Sequence, residues 1–284
     1  MTKAALTGFL AAACCGLLAA CSQPAPIRVM SFNIRYAAAD DGANSWDRRR
    51  GLAVETIRAD DPDILGLQEP LATQVAELRA LLPDYGFVGV GRTDGIAAGE
   101  FVPIFYRSSR FTLLEEGHFW LSEHPNDAGS IGWDAALPRI ATWARLRIVE
   151  APSWEVQVVN VHFDHVGQRA RVESATLIHG LVERLGRRPV VVLGDFNCDT
   201  DSQPYQILTG SSAAAAVLCD AFTETTDSGG TYHGFAGRPQ DGRIDWILFN
   251  RRFDCLNAKV DRRDFDGRYP SDHFPVTSTL RAKP

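Results

Sequence analysis

Apolar residues fall along this chain in short bursts, separated by polar stretches rich in Gly, Pro, Asp and Asn. The segments Ile27–Ile34, Ile64–Leu67, Phe101–Tyr106, Thr142–Ile148, Trp154–His162, Val190–Leu193, Ile244–Phe249 and Phe274–Leu280 are β-branched or aromatic and bounded by turn formers, which predicts strands. The run Val190-Val191-Val192-Leu193 has no polar alternation and predicts burial on both faces. Helical spacing appears in three places. Ala170, Ser174, Leu177, Leu181 and Leu185 share one face of a helix predicted over Gln168–Gly186. Asp47–Ala59 and Leu71–Leu81 are the others, the second starting just after Pro70. Several strand pairs have no helix between them, so uniform βα alternation does not fit. Mixed sheets packed face to face with helices outside do. No solenoid-length repeat and no interior Gly/Ser/Pro linker divides the chain, so one domain over about 28–284 is expected.

With 45% hydrophobic and 23% charged residues, the composition excludes disorder, collagen-like repetition and a coiled coil. The net charge of −6 is opposite to that of a protein that grips nucleic acid by phosphate neutralisation, although a local basic groove stays compatible with it. The run Arg48-Arg49-Arg50 is expected on a solvated helix face.

Residues 1–21 read as a leader. Lys3 precedes the apolar Ala4–Ala20, which is too short for a comfortable membrane span, and Leu18-Ala19-Ala20-Cys21 follows the lipoprotein signal pattern. Cleavage before Cys21 and lipid on its sulfur are expected; a plain secretory signal is the alternative. Either way the mature chain is exported, and the first reading makes it a bacterial cell-envelope lipoprotein held to the membrane by that anchor alone. Ser22 resembles the outer-membrane sorting pattern of some bacteria. Cys198, Cys219 and Cys255 remain in the mature body without CxxC spacing, which argues against zinc and leaves one disulfide of unknown pairing open. A monomer is expected.

Polar, metal-capable residues stand at the ends of the predicted strands. Ser31-Phe32-Asn33-Ile34-Arg35, Leu67-Gln68-Glu69, Asn160-Val161-His162-Phe163-Asp164-His165, Gly194-Asp195-Phe196-Asn197, Arg243-Ile244-Asp245 and Ser271-Asp272-His273 each close or open one. Any one of them reads as turn chemistry. The ordered set closely resembles the endonuclease/exonuclease/phosphatase superfamily of metal-dependent phosphoesterases, from Arg28 to about Leu280.

The resemblance implies an α+β fold, a four-layer αββα sandwich with two mixed sheets face to face, and a site at one mouth. It implies Glu69 as principal ligand to Mg²⁺ or Mn²⁺, with Asn33 and, directly or through water, Asp272. Hard oxygen donors with open positions suit those ions. It also implies His273 as the base that activates water and Asp245 as the group fixing its tautomer. Asp195 either orients the nucleophile or protonates the leaving group. Asn197 and His162 would donate to phosphoryl oxygens, although His162 could be a satisfied core histidine. Glu100 lies either near the metal or in an exposed turn. Arg139 is a phosphate clamp or a surface ion pair. Asp164 and His165 extend the His162 cluster, and His233 contacts a substrate head group or packs its loop.

These readings make the chain an exported metal-dependent phosphoesterase acting on a small, sugar or lipid-linked phosphodiester or phosphomonoester. Fold and catalytic set alone do not name the substrate. An extracellular nuclease is the alternative, so nucleic acid remains a possible but unfavoured partner. A catalytically inactive binding module is a minor third reading.

Overall fold

The computed structural model describes residues 23–210, 218–223, 225, 229–240 and 242–283; the predicted leader and Cys21 lie outside them. In chain order the elements are β1 (Ile27–Asn33), α1 (Trp46–Asp60), β2 (Ile64–Gln68), α2 (Ala72–Leu81), β3 (Tyr85–Val88), β4 (Ile104–Arg107), β5 (Phe111–Trp120), β6 (Ile140–Ile148), β7 (Glu155–His162), α3 (Gln168–Leu185), β8 (Val190–Asp195), α4 (Gln203–Thr209), β9 (Cys219–Asp220), β10 (Asp245–Phe249), β11 (Phe253–Val260) and β12 (Val276–Ala282). They form two six-stranded sheets, ordered β11-β12-β1-β2-β4-β3 and β5-β6-β7-β8-β10-β9. Each is mixed: β1 runs parallel to β2, and β7 parallel to β8, with antiparallel neighbours around them.

Strand periodicity builds the layers, because alternate side chains point to opposite faces. Ile27 and Val29 of one sheet pack with Val156, Val158, Val191, Leu193 and Ile247 of the other in the core between the sheets. The intervening residues Met30, Phe32, Leu65 and Leu67 face α1 and α2, covered by Val54, Ile57 and Leu78. Val159, Val161, Val190 and Val192 face α3, against Ala175, Ile178 and Val182. The result is the αββα sandwich, with strands buried on both faces where helices cover them. On α3 the buried face is Ala170, Ser174, Ala175, Ile178 and Val182. Leu177, Leu181 and Leu185, expected at its centre, stand half-buried on its flank.

Period two also sets where polar residues go. Asn33, Gln68, His162, Asp195 and Asp245 share the face of Val29, Ile64, Val158, Leu193 and Ile247, so each points between the sheets. β1, β2, β7 and β8 end at the same edge of the sandwich, and antiparallel β10 begins there, opposite Asp195. Below them two polar side chains brace the sheets. Asn160 Nδ2 donates to Leu67 O and Pro103 O, both at 2.8 Å, and Gln68 Nε2 donates to Asn160 Oδ1 at 2.8 Å. A Cβ on Gly66 would stand 2.7 Å from Leu193 Cδ1 and 2.8 Å from Asn160 Cγ, so glycine makes this approach possible.

Candidate active site

The mouth opens into a cleft of about 430 Å³. Arg35, Glu69, Glu100, Arg139, His162, His165, Asp195, Asn197, Asp272 and His273 all line it. A larger groove of about 760 Å³ lies at the opposite end, beside Cys219 and Cys255, without such a convergence of histidines and carboxylates.

His273 Nδ1 donates to Asp245 Oδ2 at 2.9 Å, leaving Nε2 toward Asp195 Oδ2 at 3.8 Å. Burial opposes the imidazolium, but Asp245, Asp195 and Asp272 outweigh it and raise His273 to about 10. Burial and the nearby Asp245 charge push the Asp195 carboxyl up, against the pull of His273 and of the Asn33 hydrogen bond. Asn197 N donates to Asp195 Oδ1 at 2.9 Å, and the Asn197 amide is fixed on Phe163 O, also at 2.9 Å. His162 Nε2 stands 3.6 Å from Asp195 Oδ2. Burial, Arg139 and Arg92 keep His162 neutral, well below its ordinary pKa. It is not a satisfied core histidine: its buried Nδ1 has no hydrogen-bond partner among the described residues.

Across the cleft, Glu69 has φ 72° and Asn197 φ 50°, left-handed values that few non-glycine residues adopt. Glu69 Oε2 accepts from Tyr36 N at 3.0 Å, and Oε1 accepts from Asn33 Nδ2 at 3.0 Å. Asn33 thus meets Glu69 with its amide nitrogen, while its oxygen accepts from Arg35 N at 3.0 Å. Asp272 Oδ2 lies 3.7 Å from Arg35 Nε. Burial opposes the Arg35 charge, yet Asp41, Asp272 and Glu69 raise its pKa above the ordinary value.

Hard carboxylate oxygens of this kind fit Mg²⁺ or Mn²⁺. Two groupings offer them: Glu69 with Asp272, and Asp195 with Asp245 and His273, whose ligand atoms lie within 4.8 Å of one another. Asp245 and His273 already spend a short hydrogen bond on each other, whereas Glu69 and Asp272 carry no such partner histidine.

Several expectations need correction. Glu100 is no exposed turn carboxylate; it lines the cleft, paired with Arg92 at 2.7 Å, and burial lifts it to about 6 against the Arg92 charge. Arg139 is only 4% exposed, so a surface ion pair is excluded. Its Nε donates to Asp164 Oδ2 at 3.2 Å and its Nη2 meets His165 Nδ1 at 2.9 Å. Asp164 does not line the cleft: its Oδ1 accepts from Val166 N, Gly167 N and Ala136 N, which fixes the loop before α3. His233 is fully buried and stacked on Phe274 at 3.9 Å, so it packs its loop. Arg49, expected in solvent, is buried and donates to Asn44 O, Ile34 O, Arg35 O and Pro270 O. Among the described residues, Cys198, Cys219 and Cys255 form no disulfide with one another. Tyr36, which lines the cleft, and Arg92, which pairs with Glu100, are residues that the sequence did not single out; Tyr36 directly follows the Ser31–Arg35 strand end.

The chain belongs to the endonuclease/exonuclease/phosphatase family, whose model matches residues 30–273. Its members, as the family name says, are nucleases and phosphatases, which places the chain among phosphoester hydrolases. A solved endonuclease/exonuclease/phosphatase from Bacteroides vulgatus is 36% identical, with a TM-score of 0.85 over 92% of this chain and 100% of that one. A mannosyl-6-phosphatase of Bacteroides thetaiotaomicron is 35% identical, with a TM-score of 0.81 over 89% of this chain and 99% of that one. Among curated proteins, uncharacterized protein L388 of Acanthamoeba polyphaga mimivirus is 29% identical over 163 residues, 54% of this chain and 60% of that protein. The chain therefore spans less than two thirds of that curated relative.

Proposed function

We propose that the protein is an exported, lipid-anchored, divalent-metal-dependent phosphoesterase whose substrate is a small phosphomonoester, of the sugar-phosphate class. The carrying observation is the His273–Asp245 pair at 2.9 Å, facing Asp195 on one wall and Glu69 on the other. Two things support the substrate class: likeness to a mannosyl-6-phosphatase over nearly the whole of both chains, and a cleft sized for a compact ligand rather than a groove tracking a polymer.

Glu69 and Asp272 would hold the cation. A cation there would supply charge neutralisation at the phosphoryl oxygens and would offset the carboxylates that favour protonated His273. His273 Nε2 is placed to take the proton of the attacking water, while Asp245 holds Nδ1–H and would stabilise the imidazolium formed. Asp195, pushed up by burial and Asp245, is suited to give its proton to the leaving oxygen. Arg139 Nη1, buried without a partner among the described residues, and neutral His162 are placed to donate to phosphoryl oxygens as charge develops there. Asn197 spends its amide on Phe163 O, so it positions the Asp195 loop.

The test uses metal-stripped protein given Mg²⁺, Mn²⁺ or chelator, with mannose 6-phosphate, a chromogenic phosphodiester, sphingomyelin and plasmid DNA as substrates. Turnover of the monoester that needs metal and is lost in His273→Ala is expected. Preferential cleavage of DNA would replace this reading with the nuclease, and metal binding without any turnover would favour the binding module.

A further inference from the structure

We propose that the end of the sandwich opposite the cleft is a membrane-docking face, which seats on anionic headgroups and points the cleft away from the bilayer that holds the anchor. The tether in this proposal rests on the lipoprotein reading above; the face rests on the body of the protein.

The first observation is where the chain emerges. β1 begins at this foot and ends at the cleft, so Ile27 stands roughly 20 Å from Asn33 along the strand. The residues before it are pinned to the same end. Gln23 Nε2 donates to Ala282 O, and Arg110 donates to Pro26 O at 3.1 Å and to Ala25 O at 3.2 Å. Only Ser22 separates this pinned stretch from Cys21. A lipid on Cys21 therefore draws the foot against the bilayer with too little slack for the body to turn over.

The second observation is the chemistry of the foot. Gln23, Trp154, Arg188 and Arg252 line one cavity there, of about 490 Å³. The Arg252 guanidinium lies 5.9 Å from the centroid of the Trp154 ring. Arg187 and Arg251, next in sequence to two of these, are exposed. Three acidic residues at this end have cationic partners: Glu155 has Arg145 at 2.8 Å, Asp254 has Lys283 at 2.6 Å, and Glu150 has Arg110 at 2.8 Å. Arg187, Arg188 and Arg251 form no ion pair among the described residues, so their charge is in surplus. Val149 and Leu256, 48% and 45% exposed, add apolar contact at the same end. A tryptophan between arginines suits the headgroup layer, where its ring is half wet and the cations meet lipid phosphates. The cleft lies at the opposite end and carries both signs, Arg35 and Arg139 beside Glu69 and Asp272. Its substrate then arrives from the aqueous phase, which narrows the proposed phosphoester to a water-soluble one.

The core runs from Ile27 to Ala282, so the body folds without the leader. The body starting at Ser22 is sedimented with vesicles of phosphatidylcholine alone or mixed equally with phosphatidylglycerol. Binding to the anionic vesicles only, weakened by salt, is expected, with a loss of about fivefold for each of Arg187→Gln, Arg188→Gln and Arg251→Gln. Brominated lipid should quench fluorescence in the wild type but much less in Trp154→Phe. Equal binding to both vesicles, or a triple variant that binds like the wild type, overturns the face. Duplex DNA bound as tightly through the same arginines overturns the membrane as its partner. In the full lipidated chain, hydrolysis of a phosphomonoester headgroup in its own vesicle overturns the orientation. Mass measurement of the mature N-terminus tests the anchor separately: finding no lipid on Cys21 removes the tether alone.

Discussion

Asn33 at the end of β1 donates its amide nitrogen to Asp195 at the end of β8, 2.9 Å away, and the same nitrogen reaches Glu69 at 3.0 Å. One neutral side chain thus holds carboxylates from both sheets apart and in place. Asn33→Asp sets a third carboxylate between them. Turnover should fall roughly 10²–10³-fold while far-ultraviolet dichroism stays unchanged. Wild-type turnover would mean that the amide is mere packing.

His273→Ala should lower kcat by roughly 10²–10⁴-fold. Asp245→Asn keeps the shape but lets the ring adopt the other tautomer, so a loss of similar size is expected. Steady-state kinetics on the preferred phosphoester checks both. A neutral effect in Asp245→Asn would remove its orienting role.

Glu69→Gln retains the fold's contacts and loses the charge that attracts a divalent cation. Titration calorimetry with Mn²⁺ should show binding weakened at least tenfold, and Asp272→Asn should weaken it less. Unchanged affinity in Glu69→Gln, with loss in Asp195→Asn, would move the cation to the Asp195–Asp245–His273 group.

Arg49→Ala takes a donor from four backbone carbonyls, three of them on the loops that carry Arg35 and Ser271–His273; of the four, Arg35 O keeps Gln74 Nε2. Buried acceptors left unmade cost about 1–3 kcal/mol each, so unfolding in urea should shift by about 3 kcal/mol or more. Arg50→Ala, on the same helix, removes a half-exposed ion pair with Glu77 and should shift it by less than about 1 kcal/mol. Equal shifts would deny Arg49 its bracing role.

Asp164 is held at about 2: burial opposes its charge, but the N–H groups of Gly167, Val166 and Ala136 and the Arg139 guanidinium outweigh that. Its folded value lies below the roughly 3.9 of an unfolded aspartate. Its contribution to stability is therefore complete above about pH 4 and is lost as pH falls toward 2. Urea midpoints across that window should fall more steeply in the wild type than in Asp164→Asn. Parallel curves would place the acid sensitivity elsewhere.

The strands predicted from hydrophobic pattern are the interior ones of both sheets, and the four missed, β3, β5, β9 and β11, are the outer edges. Edge strands face water and carry the polar residues and bulges that block further pairing, as at Glu115-Glu116 and between Cys255 and Asn257. Local pattern therefore cannot mark them. Asn33, Glu69, Asp195, Asp245 and His273 were legible as candidates because each sits at a strand end, where period two and a turn already constrain it. Their convergence was not. It depends on which strands run parallel and on where antiparallel β10 begins, and long-range pairing sets both. Burial separated the rest: Arg49 and Asp164 turn inward to satisfy backbone groups, His233 stacks in its loop, and Glu100 meets Arg92. Sequence by itself determined the layers and the residue types at the mouth, since side-chain alternation is a local property. Only the tertiary structure decided which of those residues share one cleft and which hold it open, because charge and hydrogen-bond partners come from distant segments.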